Sequence, residues 1–506
     1  MSEPGAGLSG LALDELCDAA LSRAHSNGAS HAEVRVEHIR TQYLSLRDGE
    51  VQTTVDDAEL GLGLRVVHGG AIGFAATSEL HQDAAAEAAD TAVSLARATA
   101  GGLAVPVVLA DESSAGSATW SSPYELDPVE VSAADKVALL GEWSARLLGA
   151  DGIDHVGASV MCVVEDKHFA DLTGARLTQR RVRVHPVVEA YAVDPEAGTF
   201  ESMRTLAPPV GRGWEYLTGA GWDWDAELTA LPELLRAKVA APSVEPGTYD
   251  LVIDPSNLWL TIHESVGHAT ELDRALGYEA AYAGTSFATF DKLGSLRYGS
   301  DLMHVTGDRT TPHGLATVAY DDEGVAAQSF DLVRRGVLVG YQLDRRMAAE
   351  NGLGRSNGCA FADSPMHVPI QRMANVSLQP ADAEGPTTDE LVSDVDRGIL
   401  VVGDKSWSID MQRYNFQFTG QRFFRIDHGR LVGQVKDVAY QSSTTEFWGS
   451  LAGLGGRSTY VLGGAFNCGK GQPGQVAPVS HGCPAALFRG VRVLNARVEM
   501  ASAAAS

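Results

Sequence analysis

The chain has 506 residues, 44% apolar and 21% charged, a globular composition too long for one core. Its 39 basic and 65 acidic residues give a formal charge of −26 with no basic cluster to track a phosphate backbone, which excludes nucleic acid as a partner. No apolar run approaches the roughly 20 residues that cross a bilayer, and Met1-Ser2-Glu3-Pro4-Gly5 lacks the layout of a signal peptide, so no membrane partner is expected.

The five cysteines, Cys17, Cys162, Cys359, Cys468 and Cys483, are scattered and odd in number. That argues against a disulfide framework and for a reducing, cytoplasmic setting. Residues 11–28 carry apolar groups at helical spacing. Period-two segments follow at 32–37, 43–46 and 61–67, with Asp48-Gly49 as a hairpin turn. Residues 80–99 are Ala-rich and return to helix, closing an N-terminal α+β domain over 1–103. A second α+β domain, 120–240, is predicted from helices near 133–149 and 225–239 around strands near 153–165 and 176–193, the latter ending at the turn 194–198. Its Gly-rich pieces lack the strand-turn-helix order of a nucleotide fingerprint. His155, His168 and His185 stand alone there, as structural histidines do.

The linker Ala241-Pro242-Ser243-Val244-Glu245-Pro246-Gly247 marks the main boundary, before a C-terminal domain over 245–500. A short buried strand at 249–254 leads into a helix from Pro255, capped by Asp254 or Ser256. An irregular stretch at 275–300, a possible flap, precedes strands near 302–307, 315–321, 327–333, 336–343, 374–379, 398–403, 414–426 and 430–441. Short helices are expected at 344–350 and 387–396, and the tail 501–506 has nothing to pack against. The fold class is therefore α+β: N-terminal α/β-sandwich-like units, then a large, mainly antiparallel β-rich domain carrying the helix from Pro255.

That helix holds His263-Glu264-x-x-x-His268, one residue longer than the zincin spacing. Residues four apart lie about 40° apart around an α-helix, but residues five apart lie about 140° apart. A one-residue π-bulge would return both imidazoles to one side, and Gly267 is where the backbone should yield. The pair could then hold a metal, with Glu264 facing its open position. Two His and a Glu on a helix can also be ordinary surface groups, so a third ligand is needed.

A catalytic zinc takes three protein ligands and keeps one position open. The candidates are Glu271, His304, His313, Cys468, His481 and Cys483. Cys468 is favoured: it lies in a polar, glycine-rich stretch read as a turn, where Lys470 could help hold a thiolate. His481-Gly482-Cys483-Pro484 is the chief rival.

Together, His263-Glu264-x-x-x-His268, Tyr320-Asp321-Asp322-Glu323-Gly324, Arg372-Met373-Ala374-Asn375, Cys468-Gly469-Lys470-Gly471-Gln472 and Val479-Ser480-His481-Gly482 resemble the TldD/PmbA family of metallopeptidases. Gly61-x-Gly63-x-Arg65 and Glu245-Pro246-Gly247 extend the likeness over nearly the whole chain. Ala374 departs from it where a hydroxyl residue is expected, outside the ligand set. The resemblance implies the motif-bearing, TldD-like subunit, with zinc held by His263, His268 and Cys468 and Glu264 as acid/base. It implies a motif-less TldE/PmbA-like paralogue as partner, and ATP-independent cleavage of short or unfolded peptides. Two rivals remain. A deformylase-like amide hydrolase would admit iron for zinc. A non-enzymatic assembly subunit would use a metal only to brace its fold.

Overall fold

The computed structural model of the protein describes residues 5–194, 198–381 and 384–498. The turn expected at 194–198 and the tail at 501–506 fall at least partly outside them. The first half builds α1 (Leu13–Ser26), β1 (His31–Arg47), β2 (Glu50–His68), β3 (Ala71–Thr77), α2 (Gln82–Ala100), β4 (Ser117–Ser121), α3 (Ala133–Leu148), β5 (His155–Asp171), β6 (Arg176–Asp194), β7 (Thr199–Arg204) and α4 (Trp224–Ala240). Asp48 and Gly49 make the β1–β2 turn at φ 52° and 83°. The strands of 1–103 and 120–240 share one seven-stranded sheet, β3-β2-β1-β5-β6-β4 with β7 on β6, joined where β1 runs antiparallel to β5. One core lies between α1, α2 and the first strands, another between α3, α4 and β5–β6.

The second half begins with β8 (Gly247–Ile253) and α5 (Pro255–Ile262), capped by Asp254, whose carboxylate accepts from Ser256 N at 2.9 Å. Helix α6 (Leu272–Ala275) follows, then β9 (Val305–Asp308), β10 (Ser329–Arg334), β11 (Val337–Leu338), α7 (Arg345–Glu350), β12 (Ala360–Phe361), β13 (Ile370–Gln371), β14 (Asn375–Leu378) and α8 (Thr388–Ser393). The chain ends through β15 (Arg397–Ile409), β16 (Asn415–Asp427), β17 (Arg430–Val435), β18 (Val438–Ser443), α9 (Thr444–Gly449), β19 (Leu451–Leu454), β20 (Val461–Lys470), β21 (Gln475–Cys483) and β22 (Ala486–Asn495).

Strands β15-β8-β22-β18-β16 pair in that order, and β16 returns to β15, closing a five-stranded barrel. Only the β8–β15 pairing is parallel within it. Aromatic side chains fill its core, with Phe447 stacked on Phe488 at 4.1 Å between centroids. Helix α5 leaves β8 and packs on β15, on the β20–β21 hairpin and on β14. That packing sets the metal motif between a closed barrel and a two-stranded ribbon.

Several local expectations give way to tertiary hydrogen bonding. Residues 315–321 are turns rather than a strand, because Ala316 N donates to the Asn375 side chain and Thr317 N to Gly314 O. The stretch 336–343 is strand only at Val337–Leu338, with an isolated bridge from Gln342 to Glu271, since Val339 N and Gly340 N both turn to Leu332 O. The strand expected at 430–441 breaks at Asp437, whose φ is 60°. Cys468 lies on strand β20, not in a turn.

The joint between the halves explains the remaining motifs. Arg65 bridges Glu33 at 2.7 Å and Glu323 at 2.6 Å, and Lys167 reaches Asp322 at 2.6 Å. A Cβ on Gly61 would lie 2.2 Å from Met366 Cε, and one on Gly63 would lie 2.3 Å from Pro365 O. These glycines permit backbones to approach; they are not turn residues.

Candidate metal centre

The helix from Pro255 changes pitch at the motif. His263–Gly267 forms a π-helical turn closed by His268 N on His263 O, followed by a 3-10 turn over His268–Thr270. The extra residue brings the His263 and His268 rings to 4.7 Å between centroids. Gln342 Nε2 donates to Gly267 O at 2.8 Å, and Thr270 Oγ1 to Val266 O at 2.8 Å, satisfying carbonyls around the irregular turn. Gly267 has ordinary helical torsions, φ −53° and ψ −63°. Its role is space: an added Cβ would sit 2.6 Å from Met373 Sδ and 3.4 Å from His481 Cε1.

His263, His268 and Cys468 converge, their ligand atoms all within 4.8 Å of one another, and all three are buried. His268 Nε2 lies 3.5 Å from Cys468 Sγ. Two ligands of one tetrahedral zinc, at about 2.0 Å for nitrogen and 2.3 Å for sulfur, would be separated by about that distance.

Outer partners fix which ring nitrogens carry protons. His481 Nδ1 is 2.8 Å from Val376 O, which can only accept, so this nitrogen donates. Its Nε2, 2.7 Å from His263 Nδ1, must then accept, leaving a lone pair on His263 Nε2. His268 Nδ1 lies 2.8 Å from a Glu271 carboxylate oxygen and donates to it, leaving the second Nε2 lone pair. Burial lowers both imidazole pKa values and favours the neutral, ligating form. Burial would raise the Cys468 thiol, but His268 and then Arg372 bring its pKa below the ordinary value. Two neutral imidazoles and an acidified thiol fit a zinc-type cation.

The other candidates are engaged with other partners. His481 is the partner of His263, and Glu271 the partner of His268. Cys483 Sγ faces Pro255 O at 3.7 Å, and burial pushes its thiol well up. His304 pairs with Asp331 at 3.0 Å and His313 with Gly211 O at 3.1 Å. Lys470 does not act on the Cys468 thiol as expected: its Nζ is taken by Glu271 at 3.0 Å, Asp273 at 2.7 Å and Gln371 at 3.1 Å.

Glu264 is buried beside the cluster and paired with the Arg413 guanidinium. Neither Arg413 nor the bond from Arg372 Nη2 to Cys468 O, 2.6 Å, was anticipated from sequence. Both residues reach the site across long sequence separations; Arg372 stands in the Arg372-Met373-Ala374-Asn375 motif, whereas Arg413 lies in none of the quoted motifs. The segment at 275–300 does border the site, with Ser286 Oγ donating to Ala269 O at 2.7 Å.

In class, the protein is a metallopeptidase. The profile of the PmbA/TldA metallopeptidase C-terminal domain matches residues 246–495, and that of PmbA/TldA metallopeptidase domain 1 matches residues 32–96. The chain belongs to the TldD/PmbA family. It is similar to a metalloprotease of Methanothermobacter thermautotrophicus, 29% identical over 92% of this chain and 95% of the relative. A zinc metalloprotease TldD homolog of Saccharolobus solfataricus is 23% identical over 52% of this chain and 55% of its own length. The crystal structure of TldE from Thermococcus kodakarensis shares the fold, with a TM-score of 0.68 at 15% identity over 94% of this chain and 98% of that one. Among the described residues, no helix is long and apolar enough to cross a membrane.

Proposed function

We propose that the chain is a zinc-dependent, ATP-independent endopeptidase for short or unfolded peptides. His263, His268 and Cys468 are its metal ligands and Glu264 its general acid/base. The observation that carries this reading is the pair of free Nε2 lone pairs beside one thiol, with a carboxylate on the same helical turn. Zinc bound there would lower the pKa of water towards neutrality and polarise the scissile carbonyl. Glu264 takes the proton of the attacking water and returns it to the leaving amine nitrogen. Three protein donors converge among the described residues, which favours an open position over the closed shell of a bracing metal.

A peptide lies as an extra strand on the C-terminal domain. Among the described residues β20, the strand that carries Cys468, pairs with no strand but β21. Backbone pairing there would give loose side-chain selectivity. A motif-less TldE/PmbA-like paralogue completes the enzyme, a reading supported by the shared fold of a protein named TldE. The five thiols, all free, suit the cytoplasm.

The test is hydrolysis of an unfolded peptide by the chain with and without its paralogue, with chelator, and with zinc or iron restored. Chelator should abolish cleavage, zinc should restore it, and ATP should change nothing. Glu264→Ala should keep its zinc and lose turnover by about 100-fold or more. Cleavage surviving complete metal removal would end the reading, and restoration by iron alone would move it to the deformylase type.

A further inference from the structure

Arg413 stands on the loop joining β15 to β16, 149 residues from its partner Glu264. Its backbone is left-handed, with φ 62°, a conformation that a long side chain rarely adopts unless its surroundings impose it. Asp410 imposes it here. One carboxylate oxygen accepts from Gln412 N at 3.1 Å and Tyr414 N at 2.8 Å; the other accepts from Asn415 N at 2.9 Å and Asn415 Nδ2 at 2.7 Å. Arg413 N closes the turn on Asp410 O at 3.0 Å, and Arg413 O accepts from Thr444 Oγ1 at 2.8 Å. On the site side, Thr285 N and Phe287 N donate to Met411 O and Gln412 O, both at 2.8 Å. The loop is tied on three sides, and its one long cationic side chain is delivered to Glu264.

The guanidinium differs from the structural arginines of this chain. Arg180 is divided between Asp127 and Asp166, and Arg65 between Glu33 and Glu323. Among the described residues Arg413 pairs with a single carboxylate, that of Glu264. A guanidinium delivered by a rigid loop to one carboxylate, that of the group read as general base, has the features of a tool for orientation.

We infer that Arg413 is a positioning residue for hydrolysis. It fixes the Glu264 carboxylate against the π-helical turn, so that one oxygen is held and the other is aimed at the water beside the metal ligands. The Asp410-caged loop sets that angle from a part of the fold remote from the metal helix. This inference rests on the role proposed for Glu264.

The test uses zinc-loaded full-length chain with its paralogue and an unfolded peptide as substrate. Arg413→Ala should keep its zinc, leave KM within about threefold, and lower kcat about 10- to 100-fold, the loss that follows an angstrom of misplacement. Arg413→Lys should recover part of that loss, and so should free guanidinium added to the alanine variant. A thermal double-mutant cycle of Arg413→Ala with Glu264→Gln reads the pair without using activity. The double variant should melt no lower than the worse single one. Additive melting shifts would show that the pair is absent and overturn the inference. Coupled melting with unchanged kcat in both Arg413 variants would also overturn it, leaving a merely structural pair. Wild-type turnover in Glu264→Gln would instead sink the role of Glu264, whatever the melting cycle shows.

Discussion

The carboxylate of Glu271 holds His268 Nδ1 at 2.8 Å through one oxygen and Lys470 Nζ at 3.0 Å through the other. Burial would raise the Glu271 carboxyl, but Lys470 and then His268 hold it well below the usual range. An ionised acceptor therefore locks the His268 tautomer with its Nε2 lone pair facing Cys468. Glu271→Ala should weaken zinc binding about 10- to 100-fold, as removal of such outer partners does. Competition against a chromogenic chelator measures it. Unchanged affinity would mean that packing alone orients the ring.

The two C-terminal cysteines should separate cleanly. Cys468 Sγ sits 3.5 Å from His268 Nε2, whereas Cys483 Sγ faces a carbonyl at the start of α5. Cys468→Ala should lose zinc or activity, and Cys483→Ala should keep both at a modest cost in melting temperature. Zinc content by mass spectrometry of the purified variants decides it. The reverse pattern would transfer the third ligand to Cys483.

Much of this site is legible in the sequence because its parts are local. The five-residue spacing of His263 and His268 demands an inserted residue, and the π-helical turn supplies it. The Cys468 thiol of the far C-terminal stretch lies with them, the three ligand atoms within 4.8 Å of one another. What escapes is what the tertiary fold assembles. Cys468 reads as loop because glycines surround it, yet β21 pairs with it and makes it strand. Lys470 looks like a charge beside the thiol, and two residues on along β20 it does share the buried face of Cys468, but its amine is taken by Glu271, Asp273 and Gln371. Arg413 is a single residue whose significance exists only once the barrel loop meets the metal helix, and His481, a candidate ligand in the sequence, becomes the partner of His263 only in the fold. The closure of the barrel, β16 back onto β15, likewise has no signature in period-two patterning.

The joint between the halves can be probed at Gly63. Its φ is not in the left-handed region, so alanine is tolerable to the backbone but not to the neighbour. The added Cβ would lie 2.3 Å from Pro365 O, a main-chain atom that cannot rotate away. Gly63→Ala should destabilise the protein by about 1–3 kcal/mol through this overpacking. The zinc cluster, on other elements, should keep its metal. Denaturant melts of the zinc-loaded variant measure the first effect and metal analysis the second. A melt matching the wild type would show that the two segments separate easily.

His185 gives the acid stability of the interdomain cleft a sign. It lies in a pocket with Trp259, Trp407 and Phe466, its ring 5.5 Å from that of Phe466. Burial, and then Arg204, push its imidazole down to about 4. The unfolded chain, with an ordinary histidine near 6.5, binds that proton more readily over the interval between. Stability tied to the neutral ring is therefore present above pH 6.5 and drains away as pH falls towards 4. His185→Gln cannot be protonated and should lose less melting temperature between pH 7.5 and pH 5 than the wild type does. Taking the difference between the two proteins cancels the acid sensitivity of the zinc site, which both share. Equal acid losses in the two would mean that the folded cleft admits the charged ring, with water or the Asp404 carboxylate solvating it.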